Sequence, residues 1–127
     1  MERASSVMLI HAKDHPVLSN AVDWHLTAVR YALPRRGDAR VVLGLHRAEE
    51  SLQLRFEGVD EFSVMAGFPE SPASENQLRV RILDVTHLQW NGVTVRVESS
   101  CGGLSFWARS VRIAEGLSAP RRRARRA

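Results

Sequence analysis

Cysteine is almost missing from this sequence. Cys101 is the single one in 127 residues, so no internal disulfide can close, and a reducing compartment is the expectation. Long apolar runs are missing too: none approaches the ~20 residues that a membrane span requires. At the N-terminus only Val7, Met8, Leu9 and Ile10 are apolar in a row before His11. That is too short for the apolar core of a signal peptide, so a cytoplasmic protein with no membrane partner is expected. Lysine is as scarce as cysteine, Lys13 standing alone against 17 arginines. GC-rich coding explains that bias without any functional demand for guanidinium chemistry. Apolar residues never recur at i, i+3, i+4 and i+7 over several turns, which excludes a long amphipathic helix. Neither GxGxxG nor a GKS/GKT ending occurs, so Gly102-Gly103 is no phosphate loop and no cofactor is expected.

The formal net charge of +4 describes one end of the chain. Arg121, Arg122, Arg123, Arg125 and Arg126 fall within the last seven residues. Leaving them out, 13 basic residues stand against 14 acidic ones, a body of −1. Residues 115–127 therefore read as a flexible Arg-rich tail, able to make non-specific contact with polyanions. Residues 1–114 read as one β-rich domain, a length that supports a single core. A near-neutral body predicts no Lys/Arg face on the fold itself.

What the chain does have is alternation. Ser51 to Glu57 places Leu52, Leu54 and Phe56 on one face against Gln53, Arg55 and Glu57 on the other, the period of a half-buried strand. Val41, Leu43 and Leu45 do the same within Ala39 to His46. In Asp23 to Leu33, Trp24, Leu26 and Ala28 face one way, and His25, Thr27, Val29, Tyr31 and Leu33 the other. Val59 to Phe68 continues the pattern after Gly58. Leu78, Val80 and Ile82 open a strand that runs on to Trp90, and Asn91-Gly92 suits a two-residue type I′ hairpin turn. Val93, Val95 and Val97 form the returning strand, and Leu104 to Ile113 a third. Val7 to Ile10 fits a short edge strand, and Pro16 to Val22 one short helix. The expected fold is mainly β: an antiparallel sandwich or strongly curved sheet of about seven or eight strands.

Residues with chemistry are dispersed. His11, Asp14 and His15 could gather a metal, but Pro16 disfavours the helix that an i, i+4 histidine pair needs, so no metal site is expected. Cys101 near a histidine could act as an activated thiol, yet Ser99 to Gly103 reads better as a hairpin connection. Glu57, Asp60 and Glu61 cluster in sequence and could form an acidic patch for a basic partner. Phe106 and Trp107 are adjacent in a strand, so they point to opposite faces. With Phe106 in the core, Trp107 is left for a partner, unless the second face is covered as well and both rings are buried in a small sandwich with a bulge near Gly103. Trp90, beside the expected turn, is the second aromatic candidate. No catalytic residue stands out.

Several of these segments together carry a resemblance. Asp23-Trp24-His25 opens a strand, Leu54-Arg55-Phe56-Glu57-Gly58-Val59 is followed by Phe62, and Val95 to Gly103 leads into Ser105 to Ile113. This resembles the small β-rich immunity proteins that accompany bacterial polymorphic toxins, of the immunity protein 50 type, over about Asp14 to Ile113. The resemblance implies a non-enzymatic protein that binds and neutralises a cognate toxin. It implies no catalytic residues. The alternative is a nucleic-acid-associated protein that uses its Arg-rich tail as an electrostatic arm.

Overall fold

A computed structural model describes residues 12–66, 68–69, 78–89, 92–99 and 102–115. Among these residues nine strands form two antiparallel sheets, and the helical segments are short 3-10 turns. The strands are β1 (Lys13–Asp14), β2 (His25–Ala32), β3 (Arg40–Arg47), β4 (Glu50–Glu57), β5 (Asp60–Val64), β6 (Val80–Asp84), β7 (Val95–Ser99), β8 (Leu104–Ala108) and β9 (Ser110–Glu115). One sheet has the order β1-β6-β7-β8-β5 and the other β2-β3-β4-β9. No helix among the described residues is long and apolar enough to cross a membrane.

The alternating segments behave as their period requires. Val41, Leu43, Leu45, Leu52, Leu54 and Phe56 of the four-stranded sheet meet Val80, Ile82, Val95, Val97, Leu104 and Phe106 of the five-stranded one in a single core. Each such side chain contributes about 1.5–3 kcal/mol on burial. Phe56 and Phe106 lock the layers edge to face, their ring centroids 5.0 Å apart.

Two strands do not stay in one sheet. β4 turns at Gly58, where φ is +66°, into β5 of the opposite sheet. The expected single strand Leu104 to Ile113 likewise breaks at Arg109 into β8 and β9. The two breaks face each other: Arg109 N–H donates to the Glu57 carbonyl at 3.0 Å. β4 pairs with β9 and β5 with β8, so one bent ladder closes a side of the sandwich. Bends of this kind are how strands turn a corner between sheets.

Other expectations are corrected. The β6–β7 pair ends at Asp84↔Val95, so no two-residue turn joins them and β6 does not reach Trp90. Asp84 Oδ1 accepts the Thr86 N–H at 3.0 Å, and the chain turns into a 3-10 segment, Thr86–Leu88, closed by Gln89 in the left-handed region. In β2, pairing runs Leu26↔Leu45 and then Ala28↔Gly44, leaving Thr27 as a bulge. The bulge exchanges faces beyond Leu26, so Val29 turns toward the core and Ala28 is exposed. Gly44 permits this, because a Cβ there would lie 3.2 Å from Thr27 Oγ1 and 3.3 Å from Ala28 Cβ. Lys13–Asp14 forms β1, a short strand paired with β6. The helix expected over Pro16 to Val22 is only a 3-10 turn at Ala21–Asp23. Glu115, where the tail was expected to begin, is the last residue of β9. The expected strand Val7 to Ile10 lies outside the described residues.

Candidate functional site

Trp107 does point away from Phe106, but it is not left for a partner. It is 3% exposed, enclosed in a second small core with Leu83, Val85 and Val93, against which Ala12 and Leu88 pack. The Arg96 guanidinium lies 4.6 Å from its ring centroid. The cause is the connection after β6, which carries Val85, Leu88 and Val93 over the outer face of the five-stranded sheet. Trp90, Asn91, Cys101, His11 and the arginines Arg121, Arg122, Arg123, Arg125 and Arg126 lie outside the described residues.

The three carboxylates do not form one patch. Glu57 sits on the outer face of the four-stranded sheet, where its Oε2 lies 2.7 Å from Arg55 Nε and 3.7 Å from Arg40 Nε. Asp60 and Glu61 belong to β5 in the other sheet, Asp60 opposite Trp107. The corner at Gly58 separates them. The ion pairs also cancel much of the charge that Glu57 was expected to offer.

His15 is fixed by its neighbours. His15 Nδ1 accepts the Val17 N–H at 3.0 Å. Burial lowers its pKa, opposed by the charge of nearby Asp84. Asp84 is held below the usual carboxylate range by its hydrogen bonds from the Thr86 backbone and side chain. Lys13, Asp84, Thr86 and His87 line a shallow depression of about 360 Å³. No group of three potential metal-ligating side chains occurs among the described residues.

The surface left open lies elsewhere. Among the described residues β2 is an edge strand of one sheet and β5 an edge strand of the other, and the two meet: the Tyr31 ring stacks on Phe62 at 4.6 Å between centroids and 22° between planes. Phe62 in turn lies 6.0 Å from Phe106, so the core reaches the surface here as a graded aromatic series. The backbone device is a second bulge. Pairing passes from Asp60↔Trp107 to Ser63↔Ser105, and Glu61, at φ +52°, turns Phe62 inward. Tyr31 is 46% and Leu33 69% exposed, and Val64 and Met65 beyond Phe62 are exposed as well. The sequence reading missed this seam because its face assignment for β2 did not include the bulge. The only signal present was an aromatic beside Leu33 at the end of an alternating run.

A second feature corrects the expectation of a fold without a cationic face. Across the four-stranded sheet the register aligns Arg30↔Val42, Val42↔Arg55 and Arg55↔Arg112. These side chains alternate with the buried ones, so the row lies on the outer face. Arg40 sits in the adjoining row, Ala32↔Arg40 and Arg40↔Glu57. Arg30, Tyr31, Ala32, Arg40, Val42 and Arg55 line an open depression of about 360 Å³. Each strand contributes an arginine at an ordinary outward position, and only cross-strand register assembles them. No protein-family model, curated protein or solved structure matches this chain.

Proposed function

We propose that this chain is a non-enzymatic binding protein that holds a partner protein against the seam between β2 and β5. The observation that carries this reading is Tyr31, stacked on Phe62 yet half exposed, with Leu33 just beyond the end of β2, an edge strand among the described residues. Interface centres are enriched in aromatic residues and methionine, with arginine among the strongest anchors, and the seam offers Tyr31, Met65 and neighbouring Arg30. A free edge can also extend into a strand of the partner, main-chain hydrogen bonds supplying affinity and side chains selectivity.

The resemblance to immunity proteins of polymorphic toxin systems supports taking the partner to be a toxin domain encoded beside this chain, with the seam in the role first expected of Trp107. The test is co-expression with that domain. Leu33 is largely solvated, so Leu33→Asp should move the melting temperature little while weakening the complex by about 2 kcal/mol or more. Purified protein should turn over no generic ester, phosphate or glycoside. A complex indifferent to Leu33→Asp would remove the seam from the interface, and the lack of any complex would remove the reading itself.

A further inference from the structure

The outer face of the four-stranded sheet is far more basic than a body of −1 predicts. Arg30, Arg40, Arg55 and Arg112 share it with two acidic residues: Glu57, which is engaged by Arg55 and Arg40, and Glu115, which pairs with Gln53 at the end of β9. Arg30 and Arg112 are exposed and make no ion pair among the described residues. Strands lie about 4.8 Å apart, which puts Arg55 about 5 Å from Arg112 and about 10 Å from Arg30 along the row. Arg40 stands two residues along from Val42, about 7 Å away. Successive charges thus fall within about a Debye length of one another at physiological salt and act as one field.

We propose that this face docks the phosphodiester backbone of a nucleic acid, independently of its sequence. This goes beyond the reading above, since it names a different class of partner on the adjoining outer face, with Arg30 at the border of the two surfaces. Guanidinium groups match phosphate oxygens with two parallel hydrogen bonds, which suits an arginine row better than a lysine one. The floor between the arginines is small: Ala28, Ala32, Gly44 and Val42. A polymer backbone can therefore lie close to the sheet. The same floor argues against a protein epitope, whose interface centre is apolar and aromatic, because Val42 is the largest apolar side chain within these rows. Tyr31, which lines the same depression, already has its ring stacked on Phe62, so the arginine row contacts phosphates and no sequence preference is expected.

The experiment is fluorescence anisotropy with short labelled DNA duplex, single-stranded DNA and RNA, on the full chain, between about 50 and 200 mM salt. Arg30→Gln combined with Arg112→Gln should weaken binding about tenfold and lower the salt slope by about two, near one per lost phosphate contact. The same pair changed to lysine should restore most of it. Arg81→Gln with Lys13→Gln removes equal charge from the other sheet and should change affinity by no more than about twofold. Changing Arg121, Arg122, Arg123, Arg125 and Arg126 to Gln should leave the Arg30/Arg112 effect in place. The proposal is overturned if that tail variant loses all binding while the Arg30/Arg112 pair is neutral, since the tail alone would then be the ligand site. It is also overturned if polyglutamate competes as well as DNA at equal charge, which would make an acidic protein surface the better partner. Absence of binding at the lowest salt overturns it outright.

Discussion

Replacing Trp107 by alanine tests the second, smaller core on the outer face of the five-stranded sheet. The indole is 3% exposed and is enclosed by Leu83, Val85 and Val93, with Ala12 and Leu88 at the margin. Removing a buried aromatic side chain costs about 3–5 kcal/mol, according to how far the surroundings collapse into the space. Loss of the Arg96 guanidinium over the ring, 4.6 Å from its centroid, adds about 0.5–1 kcal/mol. The covering segment lies outside the long ladders but is held by the Thr94 N–H on the Ala108 carbonyl and the Val85 N–H on the Thr94 carbonyl. It can therefore subside only in part, and the total should settle at about 3 kcal/mol, the low end of that range. For a chain of this size that lowers the melting temperature by about 10 °C. Urea unfolding followed by circular dichroism measures the change directly, with Trp107→Phe expected to recover more than half of it because the apolar body is largely kept. A loss below about 1 kcal/mol would refute the enclosed-core account. Loss of partner binding at unchanged stability would return Trp107 to the role of a surface anchor.

The corner between the sheets can be tested by comparing two glycines at positive φ. A Cβ at Gly58 would lie 2.9 Å from Cβ, Cγ and Cδ of Arg109, so Gly58→Ala should cost about 2 kcal/mol or more, whereas Gly37→Ala, with nothing nearby, should cost about 1 kcal/mol for its backbone angle alone. Equal losses in urea unfolding would show that the two strand breaks do not brace each other. His15, with its pKa lowered by burial from 6.5, lets the unfolded chain take up a proton first. Its contribution to stability should therefore be complete above pH 6.5 and fall away as the pH drops toward its lowered folded value. Melting temperatures from about pH 7.5 to about 5.5 should fall less steeply in His15→Gln than in the parent; parallel profiles would contradict this. Asp84, lowered from 3.8, should hold its own contribution above that value and lose it only in stronger acid, a limb that Asp84→Asn removes.

Period-two alternation determined which side chains of β3 and β4 are buried, because a strand with one apolar face has one register that hides it. Val41, Leu43, Leu45, Leu52, Leu54 and Phe56 were legible for that reason, as was Phe106 against Trp107. The class of fold followed from the same alternation and from the lack of helical periodicity. Other features depended on which strand lies beside which, and no local pattern records that. The bulge at Thr27 reversed the facing of β2 and brought Tyr31 onto Phe62, because only pairing with β3 shows the extra residue. Gly58 looked like an interruption and Arg109 like an ordinary position inside one strand, yet they are the points where two strands pass from one sheet to the other. Trp107 was placed on the correct face and then covered by the segment around Val85 and Val93, whose path is set by the Asp84–Thr86 turn. Glu57 was separated from Asp60 and Glu61 by Gly58, Val59 and the corner they make between the sheets. The row of Arg30, Arg55 and Arg112 is the clearest case, since its members are up to 82 positions apart in sequence. Cross-strand register, a property of the assembled sheet, brings their charges into one line.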